Sequence, residues 1–264
     1  MEALGAKFVY LASLVGFDPD TMTAYGPRVL NGLGVTVLIV ALSLPIGGLI
    51  ACPLAMARMS DNKILSNLAA GYIYFFRGTP LLAQLFLIYV GLGNLFGAYR
   101  GFLDDIGLWS ILREGFYYVI FAFALNTGAY QAEILRGGIQ SVPKGQSEAG
   151  EALGLHGGQI FRKIVLPQAL IVSLRPYGNE LILMIKASSL ASLVTVFDVM
   201  GATKFAFSRT YDLEVYLWAA IIYLVMVELI RRLWDALEHR MTRHLRHEPI
   251  KAKPATAPKE AVPA

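Results

Sequence analysis

The residues best suited to chemistry are polar and ionisable side chains set inside apolar stretches. In ALIVSLRPYGNELILMIKASSLASLV, residues 169–194, Arg175, Asn179 and Lys186 are spaced by four and seven. On an α-helix this spacing puts them within about 40° of one another, while Glu180 lies roughly 140° from Arg175 on another face. Ser188 follows two residues after Lys186. A second set, Asn126, Tyr130 and Glu133, repeats at four and three in a neighbouring apolar run. Each charge at membrane depth costs about 2.5–3.5 kcal/mol on insertion scales, so such groups face a cavity, a solute route or one another. Two readings stand for both stripes. Either they line the route of a charged or zwitterionic solute, or they are helix–helix contacts in which Glu133 or Glu180 neutralises Arg175.

Other chemistry finds no support. There is no GxxxxGK followed by Ser or Thr; GGQIFRK at 157–163 has glycines and a lysine without the spacing that cradles a nucleotide. Neither HExxH nor GxSxG occurs, and His156, His239, His244 and His247 read as surface histidines. No catalytic residue, metal ligand or cofactor is expected in this chain. A membrane-embedded enzyme would have only Glu133 and Glu180 to work with, and an ion-driven transporter should show internal repeats, which are absent. The single Cys52 excludes a disulfide within the chain.

The elements that must position these residues are membrane helices. Of 264 residues, 56% are hydrophobic and only 16% charged, against roughly 45–50% and 25% in soluble domains. The net charge of +4 comes from basic residues at the ends of apolar runs, which argues for membrane rather than nucleic acid as the partner. Apolar runs of about 20 residues predict five spans, over 33–56, 70–93, 116–136, 169–194 and 214–234. Pro45 and Pro53 predict kinks in the first, and Arg77 reads as an interfacial anchor. No removable signal peptide is evident; residues 1–28 read as a lead-in with a short amphipathic helix, and 236–264 as a basic, disordered tail. Connections 57–69, 136–167 and the segment after 230 carry two, four and eight Lys or Arg; the alternate set carries two each. Five spans put all basic-rich connections on one side, with the N-terminus outside and the C-terminus in the cytoplasm. The expected class is an all-α, polytopic membrane protein with about five transmembrane helices.

Between the third and fourth spans lies EAGEALGLHGGQIFRKIVLP, residues 148–167. Ala149, Ala152, Leu153, Ile160, Phe161 and Ile164 recur at helical steps, whereas Gly154 and Gly157-Gly158 interrupt them, predicting two short helices joined by a turn. Pro167 suits the first turn of the following helix. Glu148-Ala149-Gly150, then Gly154, Ile164 and Leu166-Pro167, resembles the EAA loop of ABC-importer permeases. Gly150 departs from the family's usual second alanine. YIYFFRGTPLLAQLFLIYVGL (72–92), ALNTGAYQAEILRGGIQSVPKGQSEA (124–149), IKASSL (185–190), and Gly32 with Thr36 make the chain similar to permeases for polar amino acids (MetI-like) over residues 29–235. Ala187 stands where that family often has an aspartate, which puts any inherited role for the acid in doubt.

The resemblance implies a transport subunit of the bacterial cytoplasmic (inner) membrane that pairs with a second, identical or homologous permease. Its partners would be an ATP-binding cassette ATPase dimer, which carries the ATP and magnesium, and an extracytoplasmic amino-acid-binding protein. Glu148, Ala149, Gly150, Gly154, Ile164, Leu166 and Pro167 would belong to the coupling loop, within 137–167, that meets the ATPase.

Overall fold

The computed structural model describes residues 18–243, all of whose regular elements are helical. The residues before 18 and after 243, including most of the lead-in and of the tail with His244 and His247, lie outside the described residues. Helix α1, Pro19–Arg58, starts where the Asp18 carboxylate accepts from the backbone N–H groups of Asp20 and Thr21, with Pro19 in the first turn. It runs unbroken through residue 28 and past Pro27, Pro45 and Pro53. No break divides the lead-in from the first span.

The expected second span is two helices, α2, Lys63–Gly78, and α3, Leu81–Ala98. Pro80 is the cause: it disfavours helical geometry at the residue before it, and Thr79 is extended, at φ −113° and ψ 151°. The freed backbone groups are met by side chains. Gln84 Nε2 donates to the Phe76 carbonyl (2.9 Å), the Thr79 carbonyl (3.1 Å) and Thr79 Oγ1 (2.7 Å). Asn126 Nδ2 donates to the Phe76 carbonyl and to Gln84 Oε1, both at 2.9 Å.

Two short helices follow, α4, Arg100–Asp105, and α5, Trp109–Leu112. Helix α6, Gly115–Gln140, is the centre of the bundle and packs on α1, α2, α3 and, later in the chain, α9. It meets α1 closely at Gly47, where a Cβ would overlap the Thr127 methyl and stand 3.1 Å from the Ala124 carbonyl. Small residues at such a crossing let two backbones meet and gain dispersion contacts that lipid cannot supply.

After α6 come α7, Lys144–Ala152, α8, Gly157–Ile160, and a π-helical turn, Phe161–Val165, leading directly into α9, Leu166–Ala187. A 3-10 turn over Ser188–Leu193 closes that run. Helix α10, Val199–Thr210, occupies a region the sequence analysis counted largely as a connection. It is buried against α1 and capped by Asp198, which accepts from Gly201 N–H (2.8 Å) and the Tyr223 hydroxyl (3.1 Å). Thr36 Oγ1 accepts from the Val199 N–H at 3.2 Å, and Gly32 leaves room for the Asp198 backbone carbonyl. The last helix, α11, Glu214–Thr242, exceeds the expected 214–234, so residues 236–242 of the expected disordered tail are helical. Among the described residues two helices, α1 and α3, are long and apolar enough to cross a membrane on length and composition alone.

Candidate functional site

The segment between α6 and α9 folds as the glycines dictate. Helix α7 ends at Leu153, and Gly154 turns the chain at φ +73°, a conformation that costs other residues a clash at Cβ. The Gly154 and Leu155 N–H groups close that turn onto the Glu151 and Gly150 carbonyls at 2.9 and 3.1 Å. Glu148 and Ala149 are exposed, as is Leu153 at 79%, a large apolar side chain presented to the outside. Gly150 faces inward, and a Cβ there would lie 3.0 Å from Ile160 Cγ1 and from Ile164 Cδ1. Its smallness therefore lets α7 sit on α8 and the π turn. The apolar positions expected to form one amphipathic face point two ways: Ala149, Ala152 and Leu153 outward, Ile160 into the fold. Leu166 and Pro167 open α9, so α8, the π turn and α9 run on without a break, and the Gly154 turn joins α7 to them.

The α9 stripe is present as an exposed face, with Arg175, Asn179 and Lys186 all open in the single chain. Neither acid expected to neutralise Arg175 does so. Arg175 Nε instead donates to Glu238 Oε1 of α11 at 2.7 Å, a residue the span pattern had assigned to the tail. Glu180 is buried and accepts from the Thr127 hydroxyl at 2.7 Å, joining α9 to α6. Ser188 is also buried and donates to the Ile185 carbonyl.

The α6 stripe does not share that face. Asn126 is consumed by the α2–α3 break described above. Glu133 receives both Nε and Nη2 of Arg136, at 2.9 and 2.7 Å, while Arg77 Nη1 stands 3.9 Å from its Oε2. The Arg77 guanidinium lies over the Tyr130 ring, 5.1 Å from its centroid. Arg77 is therefore held inside a cleft wall by Tyr130 and Glu133, more than the interfacial anchor the sequence implied. Gln84 and Thr36, which the sequence marked only through the resemblance, and Asp198 carry buried hydrogen bonds whose partners the sequence did not show; Asp198 in DVMG is readable as a helix cap.

Among the described residues no group of His, Cys, Asp and Glu could hold a metal ion. What the arrangement offers is an exposed helical platform, connected through a glycine turn and a π turn to a helix with an exposed polar face. The family described as binding-protein-dependent transport system inner membrane component matches residues 43–243. The chain belongs to that family: it is a transport component of a bacterial inner membrane and not an enzyme. Such a component implies an ATPase and a binding protein as partners. It is 44% identical to the nopaline transport system permease protein NocM of Agrobacterium fabrum, over 83% of this chain and 90% of NocM. The histidine/lysine/arginine/ornithine transport system permease protein HisM of Salmonella typhimurium is 36% identical over 81% of this chain and 90% of its own. A crystal structure described as an amino acid ABC transporter with histidines superposes with a TM-score of 0.72 at 35% identity, covering 85% of this chain and 99% of that one.

Proposed function

We propose that this chain is the permease subunit of an ATP-driven importer for polar amino acids, forming half of the translocation pathway. The observation that carries the reading is the match along nearly the whole fold to an amino acid ABC transporter, together with relatives whose names are those of amino-acid and opine permeases. In this reading α1, the broken α2–α3 pair, α6, α9 and α11 cross the membrane, five spans with the N-terminus outside. The Lys and Arg distribution supports that orientation, since all basic-rich connections then lie in the cytoplasm.

The ATPase docks on α7, against Glu148, Ala149 and the exposed Leu153. Gly150 and Gly154 shape the platform, and Ile164, Leu166 and Pro167 pass its displacement to α9. ATP and magnesium belong to the ATPase chains. A second permease, identical or homologous, faces the α9 stripe, where the Lys186 ammonium suits a substrate carboxylate and the Asn179 amide can donate and accept. Arg175, paired to Glu238, borders that face. Asn126, Glu180 and Ser188 serve packing instead. An extracytoplasmic binding protein delivers the amino acid.

The test is reconstitution of the chain with its ATPase and binding protein in vesicles. ATP-dependent accumulation of a labelled basic amino acid or opine is expected; accumulation of none of a panel of amino acids would overturn the reading.

A further inference from the structure

Arg77 separates two clefts. One, of about 400 Å³, lies against α6 and α9 at Ile134, Gly137, Val172 and Pro176. The other, of about 460 Å³, lies between the end of α1 and α2, and is lined by Arg58, Ala70, Ile73, Tyr74, Gly78 and the shared Arg77, Tyr130 and Glu133. The charges in this second cleft do not balance. Arg58 and Arg77 line it with Glu133 as the one carboxylate, and Arg136 pairs with that carboxylate from α6. Arg136 takes both oxygens of that carboxylate. Arg77 keeps only the 3.9 Å approach and the Tyr130 ring, and among the described residues none of its N–H groups has a hydrogen-bond partner. Arg58 donates Nη1 to the Ser66 hydroxyl at 3.1 Å, and among the described residues its other guanidinium N–H groups have no hydrogen-bond partner. Two forked cations thus border one small space with donors to spare, the chemistry that recognises a tetrahedral oxyanion.

The position of the cleft identifies the source of that anion. Arg58 is the last residue of α1, and Glu133 stands seven residues before the end of α6, about 10 Å along the axis. Both place the cleft near headgroup level at one end of the bundle. Tyr74 on its rim is 82% exposed, so the cleft opens to the outside of α2 past an aromatic side chain. An amphipathic ring at the mouth of a basic pocket suits the interfacial layer, where a lipid phosphate meets its acyl chains. We propose that the Arg58–Arg77 cleft binds the phosphate of one anionic phospholipid, with the acyl chains leaving past Tyr74. The excess positive charge selects an anionic over a zwitterionic headgroup, and the Tyr130 ring holds Arg77 in the receiving position.

The experiment uses the assembled transporter, stripped of lipid in detergent and titrated with phosphatidylglycerol, phosphatidylethanolamine or inorganic phosphate under native mass spectrometry. The expected result is one phosphatidylglycerol per permease chain, weakened about tenfold in Arg77→Gln and in Arg58→Gln, with phosphatidylethanolamine bound more weakly. Arg113→Gln, at the opposite end of α6, should bind as the wild type does, and Arg77→Lys should fall between. Equal loss in Arg113→Gln would mean general adsorption and overturn the site. Inorganic phosphate displacing the lipid at equal concentration would reassign the cleft to a free anion and overturn the lipid. Because binding is read without transport, a failure here leaves the importer reading untouched.

Discussion

Gly178 of α9 lies against the indole of Trp234 on α11, whose Nε1–H donates to the Leu174 carbonyl at 2.9 Å. A Cβ at residue 178 would overlap that ring, with its Cε2 only 3.0 Å away. The ring is too rigid to bend aside, so Gly178→Ala must push α11 outward and lose the Leu174 hydrogen bond. The expected cost is about 1–3 kcal/mol, seen as a lower melting temperature in detergent; an unchanged melting curve would refute the contact. Little of this was legible in the sequence. Gly178 and Trp234 are 56 positions apart, and Thr36 meets Val199 across 163. Spacing along one helix identifies neighbours on that helix and says nothing about which helix lies opposite. The same limit explains Arg175: its partner Glu238 belongs to a helix whose extent the apolar pattern underestimated.

Among elements, the α2–α3 break depends on side chains that a hydropathy profile counts as neutral. Gln84→Leu removes three donated hydrogen bonds at the break and the acceptor for Asn126, leaving buried backbone carbonyls with fewer partners. It should destabilise the fold by about 2–3 kcal/mol, with faster amide exchange concentrated at residues 76–84; uniform exchange would show that the break does not rely on Gln84. The Thr79-Pro80 pair that causes the break was visible in RGTP, yet the continuous apolar run around it favoured a single span. The loop at 148–167 was more legible, because its signals are local: glycines at the turn, and a proline at the start of α9. Its exposed acid permits a direct test. Glu148→Arg should lose the co-purifying ATPase, while Glu114→Arg, at the other end of α6, should keep it. Retention in both variants would remove α7 from the docking surface.

The whole chain, taken alone, leaves the polar face of α9 open, with Asn179 and Lys186 exposed beside Val172 and Leu183. Such a mixed face is costly against lipid, which is why the proposed arrangement sets it toward a polar route. Asn179→Ala and Lys186→Ala should each raise the KM of uptake several-fold with the ATPase still bound; unchanged uptake in both would take them off the pathway. Helix α1 carries a further consequence at this scale. Its 40 residues rise about 60 Å, twice the hydrocarbon thickness of about 30 Å, and even at a tilt of about 40° it reaches roughly 46 Å along the membrane normal. One end is tied to Glu214 through the Asp18 N–H (2.9 Å) and to Trp218 and Val215 through Met22, the other to Ser66 through Arg58. In the proposed five-span arrangement both ends of α1 project beyond the hydrocarbon, and one continuous helix joins Arg58 to Met22 with no loop in between.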